Sequence, residues 1–444
     1  VEKPLLTTSQ TPQRWTSGLT GYHYLVLAVA CFGWFFDTMD QWLYVQAKQP
    51  AMIELLGFKG ISPLSVEQSG LVRYWVGLAQ MWMIIGWATG GLFFGMIGDR
   101  LGRTKTMAVT IFLYAAFTGL SGFTRTPFQF VLLRFLTGLG IGGEFAAGAA
   151  LVAETFPAYA RATALGIVQA VSALGNVLAG IIYFVVGANP DLGWRWVMYI
   201  GMAPVFLIVI ILLFIHEPDA WKESRAKAKA GTGQMGSILG LFSTPELRRN
   251  TIIGVLLGTV GVIGFWGIGT WSAELVRNVL NPDNLPELAA ATDRKMSLCI
   301  MAQNFGGFFG VMGFSYVAQR FGRRHAFLIS LICCAVVVPA TFHFATSFLA
   351  ALVLFPIMGL FLLTIFGGYA IYFPELFPTR LRATGTGFCY NVSRYLAAAA
   401  PFLFGQLSAS YGIQMAALFV SSFFILGILI LPFAPETKGK PLPE

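Results

Sequence analysis

The chain has 444 residues, of which 56% are hydrophobic and 11% charged, with mean hydropathy +0.70 and a net charge of +9. Soluble domains carry about 25% charged residues, so this composition excludes a surface kept in water; its recurrent apolar runs of about 20 residues each suffice to cross a hydrocarbon core as a helix. The positive charges lie at the ends of those runs, where they set orientation in a membrane, and that excludes nucleic acid as a partner.

The first residues, "VEKPLLTTSQTPQRW", are polar, and the first apolar run is too long for a signal-peptide core, so no cleavable signal is expected. Spans are predicted near 22–46, 70–97, 104–123, 127–156, 161–187, 194–216, 249–280, 292–319, 325–345, 347–376, 380–408 and 411–433. Of the 29 Lys and Arg, nineteen fall on the termini and the loops after even-numbered spans, and eight on the opposite side. Positive residues stay cytoplasmic, so both termini are expected inside. The remaining two, Arg134 and Arg394, fall within spans.

Span 1 contains "FFDTMDQWLY". Asp37, Asp40, Gln41 and Tyr44 stand at i, i+3, i+4 and i+7, on one face of a helix that is otherwise almost wholly apolar. A carboxylate facing lipid costs at least about 3 kcal/mol at mid-membrane, so the stripe should face a cavity or polar partners. Two acids on one face suit a proton site. After span 2, "DRLGRTK" places Asp99 before Arg100, Arg103 and Lys105, where an acid can meet the positive end of a helix. Span 4 carries Arg134 and Glu144. At about 1.5 Å per residue, Arg134 and Asp37 lie at matching depths, which predicts an Asp37–Arg134 pair. Glu144 is a second candidate proton site or a packed acid, and the glycines of "GLGIGGEFAAGA" are expected to serve close helix packing. Gln169, Ser172 and Asn176 form a polar face in span 5.

The longest cytoplasmic loop follows span 6 and divides the chain into residues 1–216, a linker 217–248 and residues 249–444. In the second part, Trp266, Thr270 and Glu274 make a stripe in span 7. Gln303 and Asn304 lie in span 8, Tyr369 and Tyr372 in span 10, and Arg394 near the middle of span 11 with Asn391 and Tyr395 on its face. The two parts repeat. "ETFPAYARATALG" from Glu154 matches "ELFPTRLRATGTG" from Glu375, which aligns Arg161 with Arg382, and "DRLGR" matches "QRFGR" at nearly the same offset. An even number of spans per copy makes the repeat parallel. Cys31, Cys299, Cys333, Cys334 and Cys389 lie within spans and show no zinc or redox spacing. His23, His216, His325 and His343 are scattered toward span ends. No metal, cofactor or enzymatic constellation is therefore expected, and no Walker motif signals a pump.

"GMIGDRLGRTK", with its degenerate copy "VAQRFGRRH", resembles the signature loop of the major facilitator superfamily. "FFDTMDQ" is similar to the span-1 motif of aromatic-acid/proton symporters. "RFLTGLGIGGEFAAGA" and the span-6 segment resemble sialic-acid and related metabolite/proton symporters, while the final "PETKG" is similar to sugar porters. The resemblance implies an all-α membrane protein of twelve spans in two pseudo-symmetric six-helix bundles. It implies a monomeric carrier in the bacterial inner membrane that moves a small organic anion with protons by alternating access, with a sugar or polyol porter as the alternative. Asp37, Asp40 and Glu144 would carry protons. Arg134, Arg394, Asn391, Gln41, Tyr44, Gln169, Trp266, Gln303, Asn304 and Tyr369 would line the substrate route. Asp99, Arg100, Arg103, Glu154, Arg161, Glu375 and Arg382 would form a charge network that closes the cytoplasmic rim.

Overall fold

Helix boundaries in this protein are written largely by caps and prolines. A computed structural model describes residues 15–219, 221–222, 238–378 and 381–438. Helix α1 runs Gly21–Leu55 and α2 Val66–Leu101, the latter opened by a capping box in which Ser65 and Gln68 bond each other's backbone N–H. Then follow α3 (Arg103–Ser121), α4 (Pro127–Thr155) and α5 (Ala158–Ile182), which continues into a π-helical turn, Tyr183–Gly187. Helices α6 (Gly193–Ile200) and α7 (Val205–Phe214) are separated at Gly201–Pro204, where proline cannot supply a backbone donor. The second half begins with α8 (Pro245–Val262), a π-helical turn Ile263–Ile268, a 3₁₀ turn Gly269–Trp271 and α9 (Ser272–Leu280). It continues with α10 (Pro286–Phe321), α11 (Arg323–Phe344), α12 (Phe348–Glu375), α13 (Arg382–Ala397), α14 (Ala399–Tyr411) and α15 (Ile413–Ile430). The break between α13 and α14 falls where Pro401 would clash with the carbonyl of Ala397 in a continuous helix.

Among the described residues there is no strand, and nine helical segments are long and apolar enough to cross a membrane. Helices α1 and α3 and the pair α13–α14 fall outside that set. In α1 the reason is its buried polar stripe. Large apolar side chains point outward, Phe206 at 75% and Leu213 at 64% exposure among them, a surface that suits lipid and not water.

The repeat read from the sequence recurs in the packing. In the first half α2 and α3 lie against α4, and α1 against α5; in the second, α10 and α11 lie against α12, and α8 against α13. Thr126 caps α4 and Ser347 caps α12, each accepting from the backbone N–H three residues on. The halves meet where α2 packs on α13 and α14 and where α5 packs on α10. The end at which α1 begins is called the proximal face below, and the end at which it finishes the distal face.

Candidate functional site

Helix α1 packs between α4 and α5 and carries its polar stripe fully inward. Asp37, Asp40, Gln41 and Tyr44 are all buried. Gln41 Nε2 donates to Asp37 Oδ1 at 3.3 Å, whereas Asp37 Oδ2 and both oxygens of Asp40 accept no hydrogen bond. Arg134 stands beside Asp40, with Nη1 at 4.0 Å from Oδ2, and not beside Asp37 as the depth argument expected. Its Nη2 donates to Ser121 Oγ at 2.6 Å and to Thr118 Oγ1 at 3.4 Å, and its guanidinium lies 5.5 Å from the rings of both Tyr44 and Phe130. The error has a simple cause. One turn of helix is about 5.4 Å, and end-to-end residue counting cannot separate acids three residues apart.

Asp37 faces other charges. Glu144 of α4 is buried with Oε2 unpartnered, and its carboxylate rests against Gly33, one turn before Asp37 on α1. Asp37 interacts electrostatically with Glu144, Asp40 and Arg394. The approach depends on small residues, as expected for the glycine run of α4. A Cβ at Gly138 would meet Trp87 N at 2.9 Å, and one at Gly140 would meet Tyr114 N at 2.5 Å, so α4 lies backbone to backbone on α2 and α3.

Arg394 of α13 occupies the junction of the halves. Its guanidinium is sandwiched by Trp87 of α2 at 4.1 Å and Tyr390 at 4.2 Å, and Nη1 donates to Asn391 Oδ1 at 3.0 Å while Nε is unpartnered. Trp266 stands edge-on to Trp87 at 5.3 Å. Gln303 is buried with both amide atoms unpartnered. Asn176 donates to Asn304 at 2.8 Å, a bond that joins α5 to α10. Gln169 is exposed, and Ser172 Oγ donates to its carbonyl. Tyr369 departs from the expected lining role. Its hydroxyl donates to Leu257 O at 2.6 Å and its ring stacks on Phe373, which makes it a packing residue between α12 and α8; Tyr372 likewise donates to Pro435 O.

The proximal rim is built twice. Gly102 (φ +117°) and Gly322 (φ +100°) turn α2 into α3 and α10 into α11, in a region of backbone space that side chains disfavour. The next residue is an arginine that pairs within its own half: Arg103 with Glu154 at 2.9 Å, and Arg323 with Glu375 at 2.7 Å. Glu217 accepts the N–H groups of Arg103, Thr104 and Lys105, and Glu436 those of Arg323 and Arg324, so each carboxylate caps the positive end of a helix. Glu154 and Glu375 are thus each paired with an arginine of their own half. The side chains of Asp99, Arg100, Arg161 and Arg382 lie outside the described residues. Sequence reasoning missed Glu217, Arg323 and Glu436, although "HEP" and "PET" carry the two caps at the repeat spacing.

Toward the distal face the halves are bonded directly. Lys48, fully buried, donates from Nζ to Thr270 O at 2.9 Å and lies 3.5 Å from Glu274 Oε1. Pro50 inside α1 leaves the Gln46 carbonyl without its helical donor. Arg277 Nη2 supplies one at 2.6 Å, and also donates to Tyr183 OH at 2.9 Å, while Nε pairs with Asp293 at 2.8 Å. Ser297 Oγ donates to Gln46 Oε1 at 2.9 Å. Sequence reasoning singled out neither Lys48 nor Arg277 as a site residue.

Among the described residues no group of His, Cys, Asp or Glu is arranged to hold a metal ion. The model of the Major Facilitator Superfamily matches residues 30–291, and that of Sugar (and other) transporters matches residues 222–444. A cis,cis-muconate transport protein of Acinetobacter baylyi is 30% identical over 82% of this chain and 86% of its own. A sialic acid transporter of Escherichia coli is 29% identical over 79% of this chain and 82% of its own. The crystal structure of a D-xylose–proton symporter superposes with a TM-score of 0.74 at 18% identity, covering 95% of this chain and all of that one. The protein is a multi-pass membrane protein, and the relatives that it matches are transporters. Duplicated rims, the packing pattern that recurs in the two halves and the family matches agree, and the chain belongs to the major facilitator superfamily.

Proposed function

We propose that the protein is a monomeric secondary transporter that moves a small organic anion together with protons by alternating access. Helices α1 and α3 and the pair α13–α14 complete twelve spans, with both termini and the proximal face cytoplasmic. Residues 1–216 and 249–444 act as two bundles joined by the 217–248 linker. What supports this most is a buried charge set, Asp37, Asp40, Glu144 and Arg134 of the first half with Arg394 of the second, all at most 5% exposed. Such groups are costly inside a membrane unless they carry function.

The roles divide by partner. Asp40 is balanced by Arg134 and is the less available acid. Asp37 and Glu144 lie close together without a cationic partner in hydrogen-bond contact, and one proton shared between them relieves their repulsion. Arg394, with Nε unpartnered and its plane set by Trp87 and Tyr390, is the anchor for a substrate carboxylate through charge-assisted bonds. The muconate and sialic acid relatives both carry carboxylates, which suits that anchor. The bonds at the distal face belong to a state closed toward the periplasm. A sugar or polyol is the second possibility, favoured by the unpartnered amide of Gln303, which suits hydroxyl recognition. Uptake by proteoliposomes under an imposed pH gradient, screened across muconate, aromatic acids, sialic acid, short carboxylates and sugars, decides between them. Accumulation of sugars alone would remove the anion assignment.

A further inference from the structure

The duplicated rim carries one arginine that helix capping does not require. In the first half Glu217 caps the start of α3, and the second residue of that helix is Thr104, which is buried. In the second half Glu436 caps the start of α11, and the matching residue is Arg324, half-buried. The Glu436 carboxylate is filled by the backbone N–H groups of Arg323, Arg324, Thr437 and Lys438. Among the described residues no carboxylate forms an ion pair with the Arg324 guanidinium, whose Nη2 donates to Pro432 O at 3.3 Å. Beside it lies a cavity of about 410 Å³, walled by Arg324, His325 and Glu436 together with Leu328, Ile428, Leu431 and Pro432. It sits between the start of α11 and the end of α15, where a 3₁₀ turn, Leu431–Phe433, follows. Leu328 stands one turn deeper on α11 than Arg324, and Ile428 one turn before Leu431. Ile329, Leu429 and Phe433 are exposed alongside, so the cavity opens on the lipid-facing surface at the proximal rim.

We infer that this groove is a binding site for an anionic phospholipid, with the lipid phosphate on Arg324 and His325 and an acyl chain along Leu328, Ile428 and Leu431. The guanidinium gives charge-assisted bonds to phosphate oxygens, and the imidazole adds an N–H donor. Glu436 does not cancel this charge, because its oxygens point into the N–H groups at the positive end of α11. Exposed Lys438 and Arg320 add positive charge at the same rim, where Lys438 Nζ donates to Arg320 O at 2.7 Å. A net negative headgroup is therefore favoured over a zwitterionic one, whose cationic end would face the same charges. The polar wall alone would suit any phosphate. The apolar floor one turn deeper commits the site to a lipid, because an acyl chain covers it and a free phosphate does not. Neither the transported substrate nor the proton site enters this inference.

The test is quenching of a fluorophore on Ile329→Cys, beside the groove, by phospholipids that carry a nitroxide high on the acyl chain, in a background without native cysteines. The protein sits in phosphatidylcholine nanodiscs, into which nitroxide-labelled phosphatidylglycerol or phosphatidylcholine is titrated, and quenching is normalised to each variant's unquenched signal. A fluorophore on Val109→Cys, at the matching position of α3 and equally exposed at 48%, reports the general attraction of a basic rim. Phosphatidylglycerol should be preferred at Ile329. Arg324→Gln should lower that preference at least about fivefold and leave the one at Val109 unchanged. Arg324→Lys, which keeps the charge without the fork, should fall between Arg324→Gln and the wild type. Leu328→Trp, which fills the groove and leaves the charges, should also lower the preference, whereas diffuse attraction would not respond to it. Inorganic phosphate at about 10 mM, compared with chloride at equal ionic strength, should not displace the lipid. Equal quenching by the two lipids at Ile329, a preference untouched by Arg324→Gln or by Leu328→Trp, or its removal by inorganic phosphate would each overturn the proposal.

Discussion

Replacing Gly33 by alanine tests whether Glu144 works beside Asp37. The new Cβ would run into Glu144 Oε1 and would meet Met107 Cε at 2.8 Å. Both are ends of flexible side chains and can swing aside. Overpacking costs about 1–3 kcal/mol, and Gly→Ala within a helix gains about 0.5–1 kcal/mol. The net is about 0–2.5 kcal/mol, a fall of a few degrees in melting temperature. Function should suffer more. Restoring ordinary contact at about 3.5 Å moves the Glu144 carboxyl by about 1 Å, and misplacement on that scale costs up to about 10²-fold in rate. Gly148→Ala is the control, because its Cβ would stand at 3.4 Å from Glu144 Oε1. Melting in detergent and gradient-driven uptake in proteoliposomes are measured on all three proteins. Uptake by Gly33→Ala equal to that of the wild type would refute the coupling role of this carboxyl.

Arg394→Lys keeps the charge but loses the planar stack on Trp87 and Tyr390 and the fork that grips a carboxylate, so substrate affinity measured by calorimetry should fall about 10–100-fold; unchanged affinity removes Arg394 from the substrate. Gly102→Ala and Gly322→Ala each force a side chain into positive φ and against a capping glutamate, and should each cost about 1–3 kcal/mol in thermal stability; a neutral result at either would contradict the duplicated rim. Burial pushes the Glu436 carboxyl up, but the backbone N–H groups of Lys438, Arg323, Arg324 and Thr437 outweigh it and hold the carboxyl below its ordinary 4.5. A depressed carboxyl stabilises above its unfolded pKa and loses that effect as pH falls through the folded value. Glu436→Gln should therefore melt below the wild type at pH 7 and alongside it near pH 3, and equal melting at pH 7 would contradict the cap.

Much of the fold is legible in the sequence because a membrane imposes a strong local pattern. Apolar runs mark the helices, and the repeats around Gly102 and Gly322 and around Glu154 and Glu375 mark the duplicated halves. The polar stripe of α1 was legible too, since four polar residues at helical spacing in an apolar run require an interior partner. The partner itself was not. Arg134 stands by Asp40 because rotation about α1 and α4 decides the pairing, and residue depth carries no rotation. Helix ends were similarly opaque: α1 continues through Pro50 to Leu55, and this extension carries Lys48 against Glu274 of the other half. A lysine near a helix end reads as an orientation signal until a glutamate more than two hundred residues away is brought beside it. Tyr369 failed for the opposite reason, since an aromatic in an aromatic-rich span carries little information until its hydroxyl is seen on the Leu257 carbonyl.

The central claim is that proton movement through Asp37 and Glu144 drives accumulation of an organic anion. The most direct measurement is uptake of the best-screened carboxylate into proteoliposomes, with and without a pH gradient, by the wild type, Asp37→Asn, Glu144→Gln and the double variant. The wild type should accumulate substrate only with the gradient, and the double variant should lose accumulation while it retains exchange of internal for external substrate. Gradient-driven accumulation by the double variant at the wild-type level would contradict the account.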